Sequence, residues 1–396
     1  MMKIALFTYS TKPRGGVIHT LELGEALQAQ GHQVCIYALD KDAIGFHRAV
    51  NCPTKLVPTQ PAADRQLLLQ RKQNYLHRKT DIKFDPVDEL IKQRIQEFIN
   101  YLSQEVEKYD IYHSQDCISS NALKILRDRN TIPSFIRTVH HIDRFHSPYL
   151  QECHDRSILE PDLCLCVSQY WRQQLQQQYQ VDAPVVINGV DPQKFSGKVD
   201  GVDQLKQRLG ISGNRVYLTI GGIEPRKNSL KLLEAFVQVL KTHPQAQLII
   251  AGGETLFDYE PYRLEFFNLV KQHKINLGES LILPGVIADR DLPVLYHCAN
   301  AFVFPSVKEG WGLVLLEAIA SRVPVITSNI APFTEFLDND SALLVDPNSS
   351  KAIANAMVTI LDRNLARKLV NNSATIPPQY SWQKSAQMHL DLYQKF

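Results

Sequence analysis

Hydrophobic positions along this chain alternate between two periods. Residues 3–10 are an almost continuous apolar run, and after Lys12-Pro13-Arg14-Gly15-Gly16 the spacing over 17–30 becomes the 3.6-residue period of a helix. Gly31 closes that helix and 34–39 is a second apolar run, so the opening reads strand, glycine turn, helix, strand: a βαβ unit with a parallel pair. Further strand-like runs at 111–113, 134–140, 163–167 and 185–187 alternate with helical spacing at 118–129 and 169–179. A second series begins at 216–221 and continues through 248–251, 281–283, 301–305, 323–327 and 343–345, each followed by a helix-compatible stretch. Apolar runs of this kind belong to strands covered on both faces. The pattern therefore predicts an α/β chain with two doubly wound parallel sheets.

Between the two series, 188–213 is rich in Gly, Asp and Gln, which puts a boundary near residue 190: a first domain over 1–188 and a second over 189–376. Pro377-Pro378 then precedes an amphipathic helical pattern, so 377–396 reads as a helix crossing back to the first domain. One segment interrupts the first series. Residues 62–108 carry few strand signals, are rich in Gln, Lys and Arg, and show helical spacing over 87–106, which reads as a helical insertion. Its cations Arg65, Arg71, Lys72, Arg78, Lys79 and Lys83 are ordinarily a solvated face; they are also the chain's candidate contact with a phosphate, an acidic acceptor or an anionic membrane surface.

Length and composition agree with two domains: 396 residues, 44% apolar and 21% charged, exceed one ordinary domain and exclude extended disorder. With 43 basic against 41 acidic residues the formal charge is +2, too little for the overall field that gathers nucleic acid. An anionic partner must meet a local site. The first apolar run is too short for a secretory segment and no stretch approaches the roughly 18 apolar residues of a membrane span. The expectation is a soluble, cytoplasmic chain. Seven scattered cysteines, mostly inside apolar runs, read as reduced core residues.

Open parallel sheets bind ligands at the carboxyl ends of their strands, and two such sheets facing each other leave a cleft. The loops after the strands are therefore where chemistry belongs. Gly15 and Gly16 lie between the first strand and its helix, where glycine lets a phosphate or sugar approach the backbone; a structural tight turn would look the same. His19, just inside that helix, reads equally as surface polarity. Thr138-Val139-His140-His141-Ile142-Asp143 places two imidazoles and a carboxylate at a strand end, where a carboxylate fixes a tautomer and an imidazole holds a proton near neutral pH. Exposed loop histidines, or a zinc pair lacking its other ligands, are the alternatives.

In the second domain, Gly222-Ile223-Glu224-Pro225-Arg226-Lys227-Asn228 sets two cations at a helix start, which already favours anions; this suits a diphosphate without a metal. The most informative stretch is 304–318, where strand, loop and helix carry Glu309 and Glu317. Glu309 sits in a glycine-flanked loop suited to accepting sugar hydroxyls, Gly312 and Leu313 present amides at the helix start, and Glu317, about a turn inside, suits the two hydroxyls of a ribose.

At these residues the chain resembles the family 4 retaining glycosyltransferases of GT-B fold, whose E-x7-E motif matches Glu309 to Glu317 in an FPSxxEGxGLxxLEA setting. The resemblance covers nearly the whole chain and extends to the N-terminal glycine loop, His140, the linker 186–191, the loop 221–228 and the run 343–347. It implies two Rossmann-like domains facing a central cleft. It also implies a hexose moved from a nucleotide-diphosphate sugar to an acceptor hydroxyl, with no metal and no cofactor. On the donor side it assigns Gly16, Arg226, Lys227, Val286, Gly310, Gly312, Leu313 and Glu317, with Glu309 on the sugar hydroxyls and His140 helping to stabilise the transition state. Gly15, His19 and His141 fall on the acceptor side. Many members carry Arg where this chain has Gly222, and Arg226 is the nearby substitute. A nucleotide-sugar epimerase or hydrolase shares this fold. An NAD-dependent oxidoreductase using Asp40 is disfavoured by the missing G-x-G-x-x-G, and a non-catalytic sugar-binding protein by the presence of Glu309, Glu317 and Lys227.

Overall fold

The computed structural model describes residues 1–41, 43–60, 86–145, 147–197, 199–253 and 259–396. The chain forms two compact units, Met1–Asn188 with Trp382–Phe396, and Gly189–Ser381.

The first unit contains β1 (Lys3–Thr8), α1 (Gly15–Ala29), β2 (Gln33–Asp40), β3 (Thr54–Pro58), α2 (Pro86–Ser103), β4 (Ile111–Ser114), α3 (Cys117–Asp128), β5 (Ile136–Val139), α4 (Pro148–Leu159), β6 (Leu163–Cys166) and α5 (Gln169–Tyr179). Its six strands are all parallel, in the order β3-β2-β1-β4-β5-β6. Ile4, Ala5, Leu6 and Phe7 are all fully buried, as a strand covered on both faces requires. Helix starts are set by side-chain caps: Asp116 accepts from the Ser119 amide, Ser147 from Leu150 and Ser168 from Trp171.

Three local expectations change. β3 is an additional strand whose only buried residue is Val57; an edge strand with so little apolar surface has no periodic signal. The strand expected at 185–187 is a single parallel bridge between Cys166 and Val185. α2 occupies Pro86–Ser103, while the basic cluster Arg65 to Lys83 lies outside the described residues.

The second unit contains α6 (Pro192–Ser196), α7 (Val202–Leu209), β7 (Val216–Ile220), α8 (Ser229–Thr242), β8 (Gln247–Ala251), α9 (Glu260–Gln272), β9 (Leu281–Gly285), α10 (Leu292–His297), β10 (Ala301–Phe304), α11 (Leu313–Ala320), β11 (Val325–Ser328), β12 (Leu343–Val345), α12 (Ser350–Thr359) and α13 (Arg363–Ser373). Its sheet, again all parallel, runs β12-β11-β10-β7-β8-β9. Leu232, Leu233 and Phe236 of α8 and Ile353 and Met357 of α12 pack into one core with Leu248 and Ile250 of β8. Tyr217 within that core donates to the Met357 carbonyl at 2.7 Å.

Each sheet has the same internal order, with a reversal between its first and fourth strands: β1 beside β4, and β7 beside β10. At such a switch point the loops leaving the two strands diverge and open a crevice at the carboxyl ends. The last helix, α14 (Trp382–Tyr393), returns to the first unit and packs on α1, with the Trp382 ring edge-on to His19 at 5.6 Å. All seven cysteines are free and six are buried. Among the described residues, no helix is long and apolar enough to cross a membrane.

Candidate active site

In the second unit the switch point brings together two loops far apart in sequence, 221–228 after β7 and 305–312 after β10. The first makes one 3-10 turn, Pro225–Lys227, and passes through Asn228 at φ +60° into α8. So Arg226 and Lys227 lie on the turn preceding the helix. Asn228 stitches the loops by donating from Nδ2 to the carbonyls of Pro305 at 3.0 Å and Pro347 at 2.7 Å. The Val307 amide donates to the Arg226 carbonyl at 2.9 Å, and Ser306 Oγ lies 2.6 Å from that carbonyl.

This stitching puts Glu309 against both cations. Lys227 Nζ and Arg226 Nη1 donate to the same oxygen, Oε1, at 2.6 and 2.8 Å, and Ser306 Oγ lies 2.8 Å from it. The side chains of Lys227 and Glu309 are only 11% and 10% exposed, and that of Arg226 is 37% exposed. Burial alone would raise the Glu309 carboxyl, but Arg226 and Lys227 outweigh it and hold it down at about 2. Burial pulls the Lys227 ammonium below its usual value, Arg226 pulls further, and Glu309 opposes both. Glu224, whose side chain is 7% exposed, puts Oε2 3.3 Å from Arg226 Nε, so the two cations are met by two carboxylates.

Lys227 is held in place by glycine. A Cβ on Gly221, whose φ is +140°, would lie 2.6 Å from Lys227 Cε, so the lysine stem lies where any side chain would be. Gly222, at φ +76°, turns the backbone so that a Cβ would lie 2.8 Å from the Gly253 carbonyl. That close backbone approach leaves little room for a side chain at 222. Gly221→Ala is expected to displace Lys227 and weaken anion binding at this site, with backbone strain of about 1–3 kcal/mol. Calorimetric titration with a nucleoside diphosphate checks this, and an unchanged affinity would refute the packing argument.

Gly312, at φ +109°, leads into α11, whose first amides have no partners within the helix. Glu317, buried one turn in, accepts from Tyr296 Oη at 2.8 Å. Gly310 and Leu313 are half-buried on either side of Gly312. Val286 follows the end of β9, exposed, with its Cγ2 over Gly253. Sequence reading overlooked Ser306, Asn228 and Tyr296. Ser306 could have been found, since it lies inside the FPS stretch; Tyr296, 21 residues before Glu317, carries no local signal.

In the first unit the loops after β1, β4 and β5 bring Gly16, Gln115 and His140 together. A Cβ on Gly16 would lie 3.7 Å from His140 Cδ2, while Gly15 faces open space. His140 Nε2 lies 3.1 Å from Gln115 Oε1. Asp143, the carboxylate expected to serve either imidazole, lies 2.9 Å from His141 Nε2, so it orients His141. His19 is fully buried, which corrects the surface reading. Its Nδ1 meets Asn188 Oδ1 at 2.8 Å, and its ring stands edge-on to His140 at 4.9 Å. Burial pulls His19 down to about 3, and holds His140 well below the usual imidazole value. Both rings are neutral at physiological pH. Asp40, the residue an NAD site would use, takes the amides of Gly45 and Ile44 at 3.0 and 3.3 Å and so serves its own loop.

Residues 13–194 match the family described as Glycosyltransferase Family 4, and residues 202–375 match Glycosyl transferases group 1. O-antigen chain mannosyltransferase B of Escherichia coli is 31% identical over 190 residues, an alignment covering 48% of this chain and 47% of that one. Alpha-monoglucosyldiacylglycerol synthase of Streptococcus pneumoniae is 28% identical over 94% of this chain and 83% of that one. The crystal structure of Anabaena HepE in complex with UDP and glucose superposes with a TM-score of 0.77 over 100% of both chains, at 19% identity.

Proposed function

Because the chain belongs to the family 4 glycosyltransferases of GT-B fold, we propose that it moves a hexose from a nucleoside-diphosphate sugar to an acceptor hydroxyl, with retention and without a metal. The observation that carries this is the cluster of Lys227 and Glu309, both nearly buried, with the more exposed Arg226 at the switch point of the second sheet. In the step itself the bond from sugar C1 to the diphosphate oxygen breaks and a bond from C1 to the acceptor oxygen forms on the same face. The acceptor proton passes to the leaving phosphate. Negative charge grows on the diphosphate, where Arg226, Lys227 and the first amides of α11 supply the opposing charge that a metal would otherwise carry.

Glu317, oriented by Tyr296, takes the ribose hydroxyls; Glu309 takes hydroxyls of the transferred sugar, and the backbone beside Val286 faces the base. Gly15 and His141 form the acceptor side, Gly16 approaches the donor, and His140 helps to stabilise the transition state. His19, sealed behind His140, acts by bracing that ring. The solved complex of Anabaena HepE with UDP and glucose makes UDP the first nucleotide to test.

The test is a thermal-shift panel of UDP, GDP, ADP, TDP and their sugar conjugates in the presence of EDTA, on the wild type and Glu317→Ala. A ligand at 100 times its Kd adds about 2.7 kcal/mol, a rise of about 5–10 °C for a unit of this size. One nucleotide is expected to give that rise, and the variant to lose most of it. No shift with any nucleotide would defeat the reading.

A further inference from the structure

β5 carries a cation with no bonded counter-ion. Thr138 turns toward His113, its Oγ1 2.8 Å from the ring Nε2, so its strand neighbour Arg137 leaves the sheet on the other face. Arg137 is 5% exposed. Its Nε and Nη1 are sealed from solvent without a partner, and no hydrogen bond or ion pair reaches the guanidinium from any described residue. Nη2 is not sealed, so the group is open on that side.

The carboxylate that feels this charge, Asp116, is already engaged. It caps α3, with Oδ1 accepting from the Ser119 amide at 2.8 Å and Oδ2 from the Ser119 hydroxyl at 2.9 Å. Asp143, in the loop after β5, lies 2.9 Å from His141 Nε2. The other groups on which Arg137 acts supply no negative charge. Burial holds His113, His140 and His154 neutral and keeps the thiols of Cys117 and Cys164 protonated. A guanidinium does not escape by discharging. The fold thus keeps a desolvated cation whose donors lack acceptors, which costs free energy and returns nothing to the unliganded protein.

The same neighbours locate the group. Asp116 and Cys117 follow β4, His140 follows β5, and His154 Nε2 lies 3.2 Å from the Asp143 amide. The guanidinium therefore belongs to the carboxyl ends of β4 and β5, where the loops of the acceptor side arise. A planar fork of donors matches an oxyanion, which it meets with two parallel hydrogen bonds. We infer that Arg137 is an anion-binding residue of the acceptor site, and that the acceptor carries an oxyanion, a phosphate or a carboxylate. The anion site stands on the unpartnered guanidinium; that its occupant is the acceptor rests on the proposed reading of the first unit.

The test compares the full-length wild type with Arg137→Met, which loses the charge, and Arg137→Lys, which keeps the charge and loses the fork. Without ligand, Arg137→Met is expected to melt about 3 °C or more above the wild type, because an unanswered buried charge has gone. Inorganic phosphate or acetate at ten times its Kd is expected to raise the wild-type midpoint by about 3–5 °C more than that of Arg137→Met. Lys227 and Arg226 are the same in both proteins, so the difference reads Arg137 alone. Arg137→Lys is expected to lose most of the anion effect and to gain no stability. The stronger of the two anions names the group. Cosedimentation with phosphatidylglycerol but not phosphatidylcholine vesicles, lost in both variants, would put the phosphate on a lipid, and its absence on a soluble acceptor. Anion shifts equal in all three proteins overturn the site. An Arg137→Met that melts below the wild type overturns the claim that the cation is unanswered. An anion shift that depends on Arg137 in a protein that binds no nucleotide sugar keeps the site and removes the acceptor from it.

Discussion

Glu309→Gln is expected to bind a nucleoside diphosphate more tightly than the wild type while losing transfer. In the unliganded site the Glu309 carboxylate already neutralises Lys227 and Arg226, so a diphosphate must displace it to reach them. Glutamine keeps the shape and removes the charge, leaving the poorly solvated Lys227 without its hydrogen-bonded counter-ion while Arg226 keeps Glu224. Breaking a buried pair in this way costs about 3 kcal/mol or more. At 2–4 °C per kcal/mol for a unit of this size, the unliganded variant is expected to melt about 6–12 °C lower. A diphosphate restores the missing charge, so part of that loss returns as affinity; about 1.4 kcal/mol of it is tenfold in Kd. Transfer is expected to drop on the order of 10²–10³-fold, since the group that accepts hydroxyls of the moving sugar has become a weaker acceptor. Calorimetric titration of UDP against wild type and variant measures the first effect. A weaker variant would mean that Glu309 does not compete with the nucleotide for these cations.

Thermal stability is expected to fall steeply between pH 7 and pH 4, and to do so in the first unit. Among the described residues, four imidazoles there are buried, His19, His113, His154 and His389, and His140 against His19 is half-buried. Desolvation is the leading cause of depression in all five, taking His19 to about 3 and His154 and His389 to about 4. In the unfolded chain each binds a proton near 6.5. Below that pH the unfolded state holds more protons than the folded one, so stability falls with falling pH until the folded rings also titrate. At pH 5 the cost is about 2 kcal/mol for each of the three groups with values of 3 to 4, together comparable with a whole domain's stability. Glu309 in the second unit contributes above 4.5 and loses that contribution only as pH falls toward 2. Calorimetric scans at pH 7 and pH 5 are expected to show one transition moving down far more than the other. Coincident, unmoved transitions would mean that these rings gain protons in the folded state.

The sheets are legible in the sequence because strands covered on both faces must be apolar at consecutive positions, as Ile4 to Phe7 and Leu248 to Ile250 are. β3 is not, because an edge strand buries little and Thr54-Lys55-Leu56 reads like a loop. The loops of the donor-side cluster are also legible: Lys227 and Glu309 sit in loops that follow strands visible as apolar runs. Their direct pairing is not, since it depends on Asn228 and Ser306 stitching two loops some 80 residues apart. Burial of His19 depends on α14, which covers it from almost the other end of the chain. Likewise Asp143 lies three residues from His140 and two from His141, and only the loop's path assigns it to the latter.

That closing helix also orders the events of biosynthesis. The second unit is one uninterrupted segment, Gly189–Ser381, whereas the first receives its last piece, Trp382–Phe396, only after that segment has been made. At 5–20 residues per second, its translation takes about 10–40 s. Through that interval, while the second unit is still being made, the nascent first sheet lacks the helix that covers His19 and His113. The stage most open to chaperone capture therefore belongs to the half of the protein synthesised first.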